Sequence, residues 1–415
     1  MGIKEKRICV ITGNDYCYGT VDAMSKEFAK GLKECGCNVN TLSYEELLSF
    51  ANGNDENFNY DIVIEIMGNF FKFQKEKLKN VLKFSVITDS MFSLTNFEYF
   101  RNLQNIFILN CDEGETDYIN NHLEIAHAFH FPFGGMYGKN VYEAINSECG
   151  IESLGKKYDL TFIGSYMDYR DYLMKLNEFS PELEELALNY FDFMLENYNY
   201  NSPDALRILL SQFKLEISED DFWKLGGALV NVEQAVAAYY REKTIGDLLK
   251  GGIRVDVFSE EWNRSKLSQY SNLKVHKSLF HDEMLDVMSQ SKISLNIMKW
   301  HKGGMTERIS NIMFNGAVCA TDVSSYLIRN FSDMDDILMF DLKDTEHLLK
   351  NVYKILSDDS FRTRIVKNAF SKISENYSWN SCARRFIDIA DEIIKEKTGD
   401  IWMKKKDPIP ALQNR

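Results

Sequence analysis

The chain has 415 residues, enough for two domains rather than one core, and its 45% apolar and 27% charged residues are a globular balance. A net charge of −14 disfavours nucleic acid as a main partner, since that binding rests on Lys and Arg neutralising phosphates. No run of about 18 apolar residues offers a membrane span.

The first segment, MGIKEKRICVIT, passes from a basic lead into a short apolar run, too short for a secretory core. Lys6 stands where an N-myristoylation signal needs Ser or Thr, so Gly2 carries no such reading. RICVIT (7–12) is a strand pattern, and 19–36 has helical spacing through Met24, Phe28 and Leu32. NVNTLSY, YDIVIEIMG (60–68), FSVITDS (84–90) and NIFILNC (105–111) continue the alternation, which predicts a parallel α/β sheet. A second alternation follows in YDLTFIGS (158–165), GIRVDVFS (252–259), LKVHKSL (273–279), KISLNIM (292–298), GAVCATD (316–322) and ILMFD (337–341). Between its first two strands, about 168–250 reads as an acidic helical insertion rich in Leu, Tyr and Phe. The last 55 residues are helical in pattern, with Tyr377-Ser378-Trp379 marking a kink and KKKDPIPALQNR a frayed tail. The eight cysteines include no CxxC pair and read as reduced thiols; Cys35-Gly-Cys37 alone is weak evidence for metal.

The segment with most chemistry is WHKGGMTERISNIMFNGAVCATD, 300–322. Thr306 is suited to cap a helix and Asn315-Gly316 to end it. Ile309, Ile312 and Met313 share one side, and Glu307, Arg308 and Asn311 the other. His301, Lys302, Gly303 and Gly304 bring positive charge and bare amides to the helix start, a phosphate-holding combination. The loop follows a parallel strand at its C-terminal end, where ligands of open α/β sheets bind. A plain strand–loop–helix connection with solvated charges is the alternative reading.

IRVDVFSEEW, LKVHKSL, KISLNIM, HKGGMTERISNIMFNGAVCATD and LKNVYKILSDDSFRTRIVKNAFSKISENYSW, in that order, resemble the C-terminal half of GT-B glycosyltransferases. The branch they are most similar to is the CgeB-type, group-1-like one. In the N-terminal half, ITDS (87–90) and HFPFGG (130–135) resemble that branch's Asp-Ser-Pro and His-Leu-Pro segments. The resemblance implies two Rossmann-like domains facing a cleft. These would be 1–155 for the acceptor, with 383–415 packing back onto it, and 156–382 for the nucleotide sugar. It implies a donor diphosphate near Lys302, Gly303, Gly304, Thr306 and Arg308, with His301 in the same loop, and a base against Phe258, Trp262 and the His276-Lys277-Ser278 segment. The family's Glu, three residues after the Arg, is Asn311 here, and Glu307 is its nearest substitute.

In the first loop, Gly13, Asn14 and Tyr18 are candidate acceptor contacts, although GxGxxG is absent and a simple turn is the competing reading. Asp89, ending a strand, and His130 are rival candidates for a base, beside Arg308 as leaving-group stabiliser. His127-x-x-His130 lacks a clustered third metal ligand, and Asp333-Met-Asp335-Asp336 reads as a solvated turn, so no metal is expected. Gly164, Ser165 and Arg170 lie in a loop that the resemblance brings near the domain boundary.

The expectation is a cytoplasmic, metal-independent hexosyltransferase. It would use a nucleotide-diphosphate sugar, UDP-linked by preference, with no other cofactor and a glycan, protein or small molecule as acceptor. Partners would include no nucleic acid and at most a peripheral membrane surface. A non-catalytic sugar-nucleotide or protein-binding module and a sugar-nucleotide epimerase are the alternatives.

Overall fold

The computed structural model describes residues 2–13, 16–52, 59–66, 80–93, 105–122, 127–147, 150–298 and 300–398. Asn14 and Cys149 lie outside the described residues. The chain opens with β1 (Arg7–Thr12), α1 (Thr20–Glu34), β2 (Asn38–Ser43), α2 (Tyr44–Asn52), β3 (Ile62–Ile66), β4 (Leu82–Ile87), β5 (Ile106–Asn110), α3 (Glu113–His122), β6 (His127–His130) and α4 (Lys139–Ile145). These strands form a six-stranded sheet in the order β2-β1-β3-β4-β5-β6, parallel at every pairing. The central strands β3, β4 and β5 are buried along their whole length and are mainly apolar, with Glu65, Lys83 and Ser85 buried among them.

The second sheet is built from β7 (Tyr158–Ile163), β8 (Val255–Phe258), β9 (Leu273–His276), β10 (Ser291–Asn296), β11 (Val318–Asp322) and β12 (Leu338–Phe340). Its order is β12-β11-β10-β7-β8-β9, again all parallel. Two parallel sheets in tandem is the architecture the alternating pattern predicts. The helical insertion is also present, between β7 and β8. Its helices are α5 (Tyr169–Met174), α6 (Pro181–Glu196), α7 (Ser202–Gln212), α8 (Glu219–Ala228) and the long α9 (Val230–Lys250). Side-chain caps fix four of the starts: Asp168, Ser180, Asn201 and Ser218 each accept a backbone N–H of the first turn.

After β9 come α10 (His281–Ser289), α11 (Glu307–Phe314), α12 (Ser325–Asn330), α13 (Thr345–Ser357), α14 (Asp359–Asn376) and α15 (Trp379–Thr398). The chain turns at Tyr377-Ser378 and α15 runs onto the first sheet. Phe386 meets Phe84 at 4.8 Å and Phe28 at 5.5 Å, and Trp379 lies 5.5 Å from Phe28. A Cβ on Gly31 would come within 2.7 Å of the Trp379 carbonyl oxygen, so only glycine lets α1 approach this closely. The insertion reaches the first sheet's side as well. Phe92, just after β4, packs against Phe222 and Trp223 of α8, and Arg207 of α7 donates to the Tyr118 hydroxyl. Among the described residues, no helix is long and apolar enough to cross a membrane.

Candidate functional site

The C-terminal ends of β1, β4 and β10 converge on a cavity of about 140 Å³, in the crevice position expected of parallel sheets. Cys17, Thr20, Val21 and Met24 line it from α1 and the turn before it, and Thr88 and Asp89 from the end of β4. The second sheet contributes Asn296, Ile297, Trp300 and His301 after β10, then Thr306, Glu307 and Arg308 where α11 starts. Arg241 enters from α9.

Two guanidinium groups therefore meet in one small space. Arg241 is 8% exposed, and burial, with the Arg308 charge beside it, lowers its pKa to about 10. Neither arginine has an ion pair among the described residues, and both Nε atoms are buried without a partner. The Thr306 hydroxyl on the same wall is likewise buried and unpartnered, although Thr306 is the residue before α11. Buried donors that lack acceptors each cost about 1–3 kcal/mol. Two guanidiniums on one cavity can together attract an anion.

The glycine loop differs from its sequence reading. Lys302 does not line the cavity; its Nζ sits 3.2 Å from Asp322 Oδ2, both side chains being almost fully buried, so its charge is neutralised within the protein. The Gly303 N–H donates to Asp112 Oδ2 at 2.7 Å, and Gly303 returns its carbonyl to Glu113 N–H at 3.0 Å. A Cβ on Gly304 would overlap the Cys111 carbonyl oxygen, and one on Gly303 would fall 2.8 Å from Asp112 Oδ1. These glycines thus let the loop pack against the end of β5, and a carboxylate of the first sheet already takes the amide expected to hold phosphate. His301 does face the cavity, between Thr88 O at 3.1 Å from Nε2 and Cys111 Sγ at 3.5 Å from Nδ1.

Asn311 is also used inside the protein. It is fully buried, and its Oδ1 accepts the Met136 N–H at 2.8 Å, while Asn315 holds the same linker through Gly138 N–H and Met136 O. Glu307 and Arg308 of this face line the cavity, but Asn311 lies in the joint between the sheets, where its Oδ1 is engaged and its Nδ2 is buried without a partner among the described residues. Phe258 and Trp262 are core residues too. The Phe258 ring stacks on His276 at 4.6 Å, and Trp262, fully buried, donates its Nε1–H to Gly164 O at 2.8 Å. No face of either ring is left for a nucleobase. Lys277 is exposed and pairs with Glu283 at 2.7 Å, away from the cavity.

Of the two candidate bases, Asp89 lies on the cavity wall opposite α11. His130 does not: its ring packs on Tyr326 at 5.1 Å with Nδ1 3.7 Å from Glu113, and burial lowers its pKa. Gly13 has φ +77° and donates its N–H to Asp22 at 2.6 Å, so it closes a turn at the foot of α1. Tyr18 is half-exposed on a separate groove. Arg170 pairs with Asp168, and the Asp333–Asp336 turn is held by Met339 N–H, Arg364 and Lys372.

Sequence reading missed Arg241. Its signal was present: Ala238, Ile245 and Leu248 recur at helical spacing as one buried stripe, and Arg241 interrupts it. It also missed the carboxylates around the glycine loop. Asp112, Glu115 and Glu233 are all buried where α3, α9 and that loop meet. Burial raises Asp112 to about 6 against the N–H groups that stabilise its charge, and Glu233 to about 7. Glu115 is raised further by burial and the neighbouring Asp112 charge.

Residues 241–388 match the family model described as glycosyl transferase-like. Sequence comparison with curated proteins gives no significant match. The fold is similar to a sucrose-phosphate synthase from Thermosynechococcus elongatus, with TM-score 0.55, 9% identity, and coverage of 94% of this chain and 99% of that one. AviGT4, a glycosyltransferase of avilamycin A biosynthesis, gives TM-score 0.53 at 9% identity, covering 94% and 98%. The T4 phage enzyme BGT, solved with its substrate UDP-glucose, gives 0.51 at 12% identity, covering 95% and 100%. Likeness at these identities establishes the two-domain GT-B fold.

Proposed function

We propose that the chain transfers a sugar from a nucleoside diphosphate sugar to an acceptor hydroxyl, along the CgeB-like line its motif order resembles. The observation that carries this is the pair Arg241 and Arg308 on one cavity at the start of α11: Arg241 is buried, and both Nε atoms are buried with no partner among the described residues. A diphosphate bridges two such cations better than a carboxylate or a single neutral group does, and the amide end of α11 adds to the attraction. The family match over 241–388 and the GT-B fold support the same reading.

In the reaction, the acceptor oxygen bonds to sugar C1 as the bond from C1 to the diphosphate oxygen breaks. The nucleoside diphosphate departs with that electron pair, and its growing charge falls between Arg241 and Arg308, which are fixed beforehand. The hydroxyl proton passes to Asp89, which faces α11 from the first sheet. The arginine pair supplies the positive charge, so the proposed transfer is metal-independent. UDP is the favoured nucleotide, because BGT, with this fold, takes UDP-glucose. A cavity of about 140 Å³ is smaller than the roughly 300 Å³ at which ligand sites begin, so the two sheets must separate to admit the donor.

A binding protein without turnover is the second reading, favoured by Asn311, which occupies the family's acidic position and is used in the joint between sheets. The test is release of nucleoside diphosphate from UDP-, GDP-, TDP- and ADP-sugars by wild type and Arg308→Ala. Release from one donor, lost in the variant, is expected. A donor that raises the melting temperature without release favours the binding protein, and absence of both effects for every donor overturns the assignment.

A further inference from the structure

Beside the arginine cavity, across the turn Cys17-Tyr18-Gly19, lies a second groove of about 850 Å³. Its sides are α1 and the start of α10, and its floor is the linker at Gly135–Tyr137 and the first residues of α15. One narrow partition separates the two spaces. Tyr18 O accepts the His281 N–H at 3.0 Å, and His281, on the groove, has its Nδ1 3.4 Å from the hydroxyl of Thr20, on the cavity.

Four large aromatic rings edge this groove while facing solvent. Phe280 is 68% exposed, Tyr142 57%, Tyr18 50% and Tyr137 41%. Tyr137 and Tyr142 stack within 15° of parallel at one end, with centroids 6.3 Å apart. Tyr18 and Phe280 meet edge to face at 6.1 Å at the end next to the partition. So much aromatic surface around a single concavity marks a binding surface. Three of the groove's carboxylates are paired within the protein: Lys26 sits 2.6 Å from Asp22, Lys30 3.6 Å from Glu27, and Glu283 2.7 Å from Lys277. Glu34 and Asp282 have no ion pair among the described residues and leave the lining net acidic. The paired groups keep lone pairs and N–H bonds for hydroxyls, and the acidic surplus of Glu34 and Asp282 turns anions away. The matching ligand is uncharged, rich in hydroxyls, and carries flat apolar faces that stack on rings. A chain of pyranose units has all three properties, and the groove's volume suits several of them.

We propose that this groove binds a neutral oligosaccharide, the acceptor of the transfer, with one end directed over the Cys17–Gly19 turn toward Asp89; the acceptor role rests on the sugar-transfer reading above. The test uses the full chain without donor. Malto-, cello-, chito- and manno-oligosaccharides of three to five units are titrated by saturation-transfer NMR, with Tyr142→Ala, Phe280→Ala and the distant exposed control Tyr353→Ala compared. Both groove rings are more than half exposed, so their truncation leaves the core intact, which thermal melting verifies. At least one neutral series should bind wild type and Tyr353→Ala alike, with Kd raised tenfold or more in both groove variants. The assignment is overturned if no neutral series binds, if anionic sugars bind better than neutral ones, or if both groove variants bind as wild type does. Groove binding that persists in a protein cleaving no sugar nucleotide would sink the transfer reading and leave the carbohydrate site standing.

Discussion

Glu233 offers the sharpest quantitative test of how the insertion is seated. Its carboxyl is 3% exposed on α9 and faces the hydroxyls of Ser90 and Ser202, which favour its charged form less than burial opposes it. Burial raises it from an ordinary 4.5 to about 7. Below pH 4.5 both folded and unfolded chains hold the proton, and the site leaves stability unchanged. Between 4.5 and 7 the unfolded chain releases its proton while the folded one keeps it. Stability then falls with rising pH by about 1.4 kcal/mol per unit and levels off above 7. The full loss is about 3 kcal/mol. Glu233→Gln keeps the shape and removes the titration, so its urea-unfolding free energy should equal wild type near pH 4.5 and exceed it by about 2–3 kcal/mol at pH 8. Asp112 and Glu115, also raised, give a decline of the same sign that the variant retains. Parallel pH profiles for the two proteins, or a variant less stable at pH 8, would refute the reasoning.

Three further outcomes are expected. Arg241→Met should raise the melting temperature of the ligand-free protein, since it removes a buried unpaired cation, and should cut the stabilisation given by UDP; a fall in the first quantity counts against an anion site. Gly304→Ala forces a Cβ into the Cys111 carbonyl, and because backbone meets backbone the loss should exceed about 2 kcal/mol in chemical denaturation. Lys302→Met alone leaves Asp322 buried without its cation and should cost about 3–5 kcal/mol, while the double variant with Asp322→Asn recovers most of it. Equal losses in the single and double variants would mean that the pair does not govern the site's stability.

Both sheets were legible because their central strands are buried on two faces and read as mainly apolar stretches between helical periods, although Glu65, Lys83 and Lys292 interrupt them. The position of the loop at 300–306, at the C-terminal end of β10, followed from that. What it does there did not, because the use of a charge depends on neighbours distant in sequence. Lys302 looked available until Asp322, brought beside it by the β10–β11 pairing, took up its charge. Asn311 looked like a sugar ligand, yet its partner is Met136, 175 residues away. Arg241 had the reverse fate: local pattern made it one helical charge among several, and only the fold shows that none of the described carboxylates pairs with it. Phe258 and Trp262 show the same limit for aromatics, whose burial is set by packing rather than by type.

The return of α15 to the first sheet bears on how the chain is made. Phe28 and Phe84 are sealed by Trp379 and Phe386, and the Ile3 N–H donates to Asp391 at 2.6 Å. During synthesis the first six strands leave the ribosome with that apolar side uncovered, and its cover emerges some 250 residues later. At 5–20 residues per second this leaves the face open for roughly 10–50 seconds. The second sheet, whose helices arrive between its own strands, has no such wait. The half of the molecule translated first is therefore the last to complete its core, and the nascent chain's dependence on chaperones should end only when α15 has cleared the exit tunnel.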